Sequence, residues 1–198
     1  MNDLRRKQRG NALIESALTL PLLIGSALVI ADLYNINLAR AYMEQSAHTV
    51  ASTLAMQNRL DKNSLQALTE QSAAPGVLGD YQMVISRVML DRRMPWKPLY
   101  RGNAEGLCPE LFSGDRYTGE LPEELPANSS DDEDEEDSTS GTSIVVVQLC
   151  RNSDTLALSS ALLASKDIQT ISFARMSYSD IELDAPLREE VGLEDEDS

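Results

Sequence analysis

The sequence predicts an α+β protein. A long N-terminal transmembrane and amphipathic helix packs on a small, mainly antiparallel sheet that carries a long irregular acidic insertion. Three observations carry this reading. An uncharged apolar stretch from Ser16 to Ala31 follows a cluster of basic residues. Apolar residues then recur at helical steps as far as Leu54. Three later runs, 81–90, 143–150 and 168–178, are rich in strand-forming residues. A chain of 198 residues has room for one small domain with appendages.

The basic cluster is Arg5, Arg6, Lys7 and Arg9. The segment from Asn11 to Ala31 has 21 residues, or about 31 Å of helix, enough to cross the hydrocarbon core of a bilayer. Basic flanks stay in the cytoplasm, so the chain beyond Ala31 is expected outside. Glu15 falls within this span, where an ionisable group is costly and usually has a role. If the bond between Gly10 and Asn11 is cut, the freed α-amino group of Asn11 gives Glu15 of a neighbouring subunit a cationic partner. Otherwise Glu15 is an interfacial carboxylate near the headgroups. Residues 1–10 carry four basic and one acidic side chains, so their removal takes the formal net charge from −15 to −18. Such acidity excludes the basic footprint that nucleic-acid binding needs.

The run Arg9-Gly10-Asn11-Ala12-Leu13-Ile14-Glu15, continued by Ser16-Ala17-Leu18-Thr19-Leu20-Pro21-Leu22-Leu23, resembles the TadE/TadF minor pilins of tight-adherence (Tad/Flp) type IV pili. Ser16 stands where many of those proteins carry Phe. The resemblance covers about residues 5 to 35. It implies a leader at 1–10 removed by a prepilin peptidase, a role in pilus assembly for adherence, and a single-pass protein of the bacterial inner membrane with a periplasmic head. The partners it implies are the membrane, the major Flp pilin, a second TadE/TadF-like minor pilin, the prepilin peptidase and the inner-membrane assembly platform. Two other readings remain open. One is a signal peptide cut after the apolar block at Ala39-Arg40-Ala41. The other is an uncut single-pass envelope receptor or adaptor.

Within the apolar half of the helix, 11–31, Pro21 removes one intrahelical hydrogen bond and favours a kink. Gly25, Ala27 and Ala31 form a small-residue patch suited to close packing against other membrane helices. In the amphipathic half, 32–60, Ile36, Ala39, Met43, Ala47, Val50 and Leu54 share one face. The helix is expected from about Asn11 to about Asn58, about 70 Å at 1.5 Å per residue. His48, the only histidine, stands one turn after Glu44 and is expected to pair with it.

The exported head spans 61–186. A short helix is expected from Ser64 to Gln71 with Ser64 at its cap, followed by a turn at Pro75-Gly76. The continuous apolar run after Ser143 marks a central strand, and Thr155 to Ser165 has helical character. The insertion, 91–142, is rich in proline and reads as irregular. It holds the acidic run Asp131 to Asp137, expected as a solvated loop, with loose divalent-cation binding as the alternative. The acidic tail, 187–198, is expected to fray. Cys108 and Cys150 are either free thiols or one bridge, and an extracytoplasmic head favours the bridge.

No metal-ligand cluster, phosphate loop or nucleophile motif is present in the sequence. No cofactor, metal site or catalytic residue is therefore expected. The expectation is a structural subunit and not an enzyme.

Overall fold

The structure, a computed structural model, describes residues 2–73, 79–122, 143–152 and 167–193, with side chains from Ile14 onward. The expected Pro75-Gly76 turn, the acidic run 131–137, the helical stretch 155–165 and the end of the tail lie outside the described residues. The α+β class holds: one long N-terminal helix and a small, mostly antiparallel sheet.

Helix α1 runs from Asn2 to Ala55 with Pro21 inside it. The chain divides into two compact bodies, and the boundary on α1 falls between Leu38 and Ala39. In the second body, the face expected from the sequence is the one that packs. Ala39, Met43, Ala47, Val50 and Leu54 are buried, while Arg40, Glu44 and His48 are exposed. Each large apolar side chain buried this way contributes about 1.5–3 kcal/mol. Glu44 pairs with Arg40 at 3.1 Å and not with His48, a correction to the expected local pair. Arg40 lies one turn toward the N-terminus of Glu44, and its long guanidinium reaches the carboxylate at the i, i+4 spacing.

The helix stops three residues before the expected end because its last carbonyls find other donors. Gln57 N–H closes on Leu54 O at 3.1 Å, and Ser177 N–H donates to Ala55 O at 2.8 Å. Strand β1 (Arg59–Leu60) follows, then helix α2 (Lys62–Ser72). Asp61, not Ser64, is the N-cap. Its carboxylate accepts from both the backbone N–H and the hydroxyl of Ser64, which places the helix start earlier than expected. At the other end of α2, the buried Ser46 of α1 donates to Ser72 O at 2.7 Å.

Strands β2 (Tyr81–Met89) and β3 (Leu99–Gly102) pair antiparallel. A small hairpin of β4 (Phe112–Ser113) and β5 (Arg116–Tyr117) precedes β6 (Ser143–Asn152) and β7 (Asp167–Arg175). The four-stranded sheet has the order β3-β2-β6-β7 and is antiparallel throughout. The run after Ser143 is thus central, as its apolar continuity predicts. Strand β8 (Glu182–Leu183) pairs parallel with β1, and helix α3 (Ala185–Glu190) closes the chain. Asp184 serves two helices: one carboxylate oxygen accepts from Leu187 N–H at the start of α3, the other from Lys62 N–H at the start of α2, each at 3.0 Å.

The sheet is covered on both faces. On one face Met83, Ile85, Leu99, Val145, Val147 and Leu149 share a core with the buried face of α1, Leu65 of α2, and Leu187 and Val191. On the other face Val88, Ile144 and Val146 pack with Met94 and Tyr117, flanked by Leu111, Phe112, Ile171 and Phe173. The described part of the insertion therefore supplies the edge strand β3 of the sheet, with Trp96 and Leu99 in the first core, and the layer on the second face. It contains β3, β4 and β5, where the sequence predicts irregular chain. The tail expected from Leu187 is also in part built in, since Leu187 and Val191 are buried.

Two ion pairs hold the margins of the sheet. Arg87, buried on β2, donates to Ser143 Oγ at 3.1 Å, to Ser179 O and to the Asp180 carboxylate. Arg101 on β3 grips Glu190 of α3 with both terminal nitrogens.

Candidate functional site

Two features of the chain suit a functional role: the apolar segment of α1 and the disulfide-held layer of the head. In the first, every residue from Ile14 to Ile30 is exposed, with Leu18 at 72% and Leu22 at 74%. Water penalises such a surface by about 25 cal/mol per Å². A window of this helix reaches a mean hydropathy of 1.9, and the segment beginning at Ile14 is the one candidate membrane span among the described residues. By length and composition it can cross a bilayer.

Two of its hydroxyl groups bond within the helix. Thr19 Oγ1 donates to Ser16 O at 3.4 Å and Ser26 Oγ to Leu23 O at 2.9 Å. Back-bonding of this kind lets Ser and Thr enter an apolar medium without a partner from outside the helix. Glu15 is exposed near the start of the segment. Gly10 and Asn11 lie outside the residues whose side chains are described. Around Gly25 an added Cβ would meet nothing within 4 Å, Ala27 is exposed, and Ala31 is half-buried. Asp32, which the sequence marks only as the end of the apolar block, is fully buried. Ala39-Arg40-Ala41 lies within α1 with Ala39 buried in the head, a poor substrate for a peptidase that needs extended chain.

The second feature is the bridge between Cys108 and Cys150, with Cα atoms 5.3 Å apart. Cys150 lies on β6, where it is fully buried. Two glutamines flank the bridge on the same face of the sheet. Cys108 N–H donates to Gln82 Oε1 at 2.8 Å, and Gln148 Nε2 donates to Pro109 O at 3.0 Å. One covalent and two hydrogen bonds thus fix the entry of the insertion onto the second face. Beside them lies an open cleft of about 480 Å³, lined among others by Tyr100, Glu105, Glu110 and Phe112. Burial, and then the nearby Glu110, push the Tyr100 phenol above its ordinary pKa, so it is a neutral hydrogen-bonding group at physiological pH.

The described residues hold no cluster of three or more His, Cys, Asp or Glu side chains able to bind a metal ion. The wall of the cleft combines the aromatic rings of Tyr100 and Phe112 with the charged side chains of Arg101, Glu105 and Glu110. Sequence reasoning placed the cysteines but missed Gln82 and Gln148. Their only signal was a glutamine set between apolar neighbours within a strand. Comparison with known proteins gives no match among family models, curated proteins or solved structures.

Proposed function

We propose that the chain is a minor-pilin-like subunit that takes part in assembling a tight-adherence type IV pilus. It would be made with the leader 1–10, inserted by the helix 11–31 with its N-terminus in the cytoplasm, and cut between Gly10 and Asn11. Glu15 would then pair with the freed amino group of a neighbouring subunit and set axial register. Pro21, Gly25, Ala27 and Ala31 would shape the surface on which subunits pack. The partners would be the major Flp pilin, a second TadE/TadF-like minor pilin, the prepilin peptidase and the inner-membrane platform.

One observation carries this reading. An exposed apolar helical segment with a carboxylate near its start continues, without a helix break, into residues that form the core of a disulfide-closed head. A removable signal peptide has no reason to share a helix with the core of the mature domain. A disulfide suits an oxidising compartment. The cleft beside that disulfide favours a second reading, an uncut envelope receptor or adaptor, which needs no processing at Gly10.

N-terminal sequencing and intact mass of the membrane-extracted protein separate the two. A chain beginning at Asn11, whose processing is lost when Gly10 is changed, is the expected result. A chain that retains Met1 favours the receptor and removes the register role of Glu15.

A further inference from the structure

Strand β7 is the edge of the four-stranded sheet, and among the described residues no strand pairs with its outer side. Natural edge strands are usually short, bulged, or interrupted by Pro, Lys or another charge, because an open ladder of N–H and C=O groups captures other strands. β7 has none of these protections over its length. It runs nine residues, pairs with β6 in unbroken register from Asp167 to Arg175, and carries seven uncharged residues, Ile168 to Ala174, all half-buried. Its two charges are at its ends, Asp167 and Arg175, both exposed and neither with an ion-pair partner among the described residues.

That arrangement is self-complementary. In a two-fold antiparallel pairing centred on Ile171, residue numbers across the interface add to a constant. Asp167 of one copy then stands opposite Arg175 of the other, at both ends of the ladder. Side chains alternate along a strand, so both members of each ion pair project from the same face. Thr170 meets Ser172, and Ile171 meets its own copy. Shifting the register by two residues loses both ion pairs. Opposite charges directly across an antiparallel pair stabilise it, and like charges oppose it. A two-fold interface requires a surface of this kind, complementary to itself.

We infer that the outer edge of β7 is a docking surface for a second copy of this chain, which joins two sheets through an antiparallel β7–β7 ladder held by two Asp167–Arg175 pairs. The inference stands apart from the pilus reading, since it uses only residues of the head and applies equally to a receptor.

Charge reversal tests it. The full-length chain in detergent micelles at low ionic strength is followed by sedimentation velocity, as wild type, Asp167→Arg and Arg175→Asp. Each reversal places like charges opposite one another at both ends, so each variant alone should dimerise about tenfold more weakly than wild type. Mixing the two variants restores opposite charges at both ends, and the mixture should recover the wild-type dimer. Recovery on mixing also shows that both variants are folded. A second measurement is oxidation of Ile171→Cys, which should yield a covalent dimer, while Asn63→Cys on α2 should not. A wild-type monomer, a dimer unaffected by either reversal (association through α1 instead), or a mixture as weak as its components would each overturn the inference. None of those results bears on processing at Gly10.

Discussion

Gln82 and Cys150 face each other across the β2–β6 ladder, and both hold Cys108: one through its backbone N–H, the other through sulfur. The insertion thus meets the sheet at a point where covalent and hydrogen-bonded restraints coincide.

Loss of the bridge should therefore loosen a whole layer of the head. The closed loop spans 43 residues with both cysteines counted, because the two are 42 apart in sequence. Chain entropy over such a loop contributes about 4 kcal/mol. Cys108→Ala, or reduction of the wild type, should lower the thermal midpoint of the detergent-solubilised protein. It should also raise hydrogen exchange at Met94, Phe112 and Tyr117, with less change at Met43 and Val50. Equal melting with and without reductant would show that the bridge adds nothing.

Gly102 sits at φ +113°, and a Cβ there would lie 2.3 Å from Tyr81 O. That oxygen also accepts from the N–H groups of Asn103 and Ala104 at 3.2 Å each. Gly102→Ala should cost about 2–3 kcal/mol, since the backbone conformation is strained for any L side chain. The close approach adds to that cost. Chemical denaturation should give a lower midpoint, with the end of β3 detached from β2. Gly106→Ala, also at positive φ but with open space around it, should cost less.

The pH dependence follows from groups on the head. Hydrogen bonds from Ser64, through its hydroxyl and then its N–H, hold the Asp61 carboxyl below its ordinary 3.8. The N–H and then the side chain of Arg93 do the same for Asp91. A carboxylate whose folded pKa is depressed adds stability above its unfolded pKa, and that stability disappears as pH falls through the folded value. Tyr117 behaves oppositely at the alkaline end. Burial pushes its phenol above 10.0, so its contribution is present below pH 10 and lost as pH rises further. Thermal midpoints should therefore fall below about pH 4 and above about pH 10. Asp61→Asn should flatten the acid limb, and an unchanged limb would remove Asp61 from this account.

If the chain is the pilin-like subunit proposed above, Glu15→Ala should leave processing at Gly10 intact and abolish assembly. An ion pair held in an apolar environment and stripped of one partner costs about 3–5 kcal/mol, or at least about a hundredfold in affinity at each subunit contact. Piliation counted by electron microscopy is the readout. Normal pili on cells carrying Glu15→Ala would end the register role.

Periodicity made the helix and the principal strands legible. Met43, Ala47, Val50 and Leu54 are spaced for one helical face, and Ile171 and Phe173 alternate as a half-covered strand requires. The second layer was not legible. Met94, Leu111, Phe112 and Tyr117 are scattered among prolines and glycines with no period, and their burial depends on a sheet made elsewhere in the chain. The small helix α3 did leave a signal, since Asp184 followed by Pro186 is a sound helix start. The acidity of the surrounding tail concealed it. For the apolar segment, composition identifies a candidate span, while the role proposed for Glu15 would depend on a neighbouring molecule that one sequence does not contain.

Burial of Leu187 and Val191 in the same core as Met43 and Val50 has a consequence for biosynthesis. That core unites residues more than 130 positions apart, so it cannot be completed until nearly all of the head has been synthesised. Long-range closure of this kind is slow. During that interval the β-rich runs at 81–89 and 143–152 are without their sheet partners and open to aggregation.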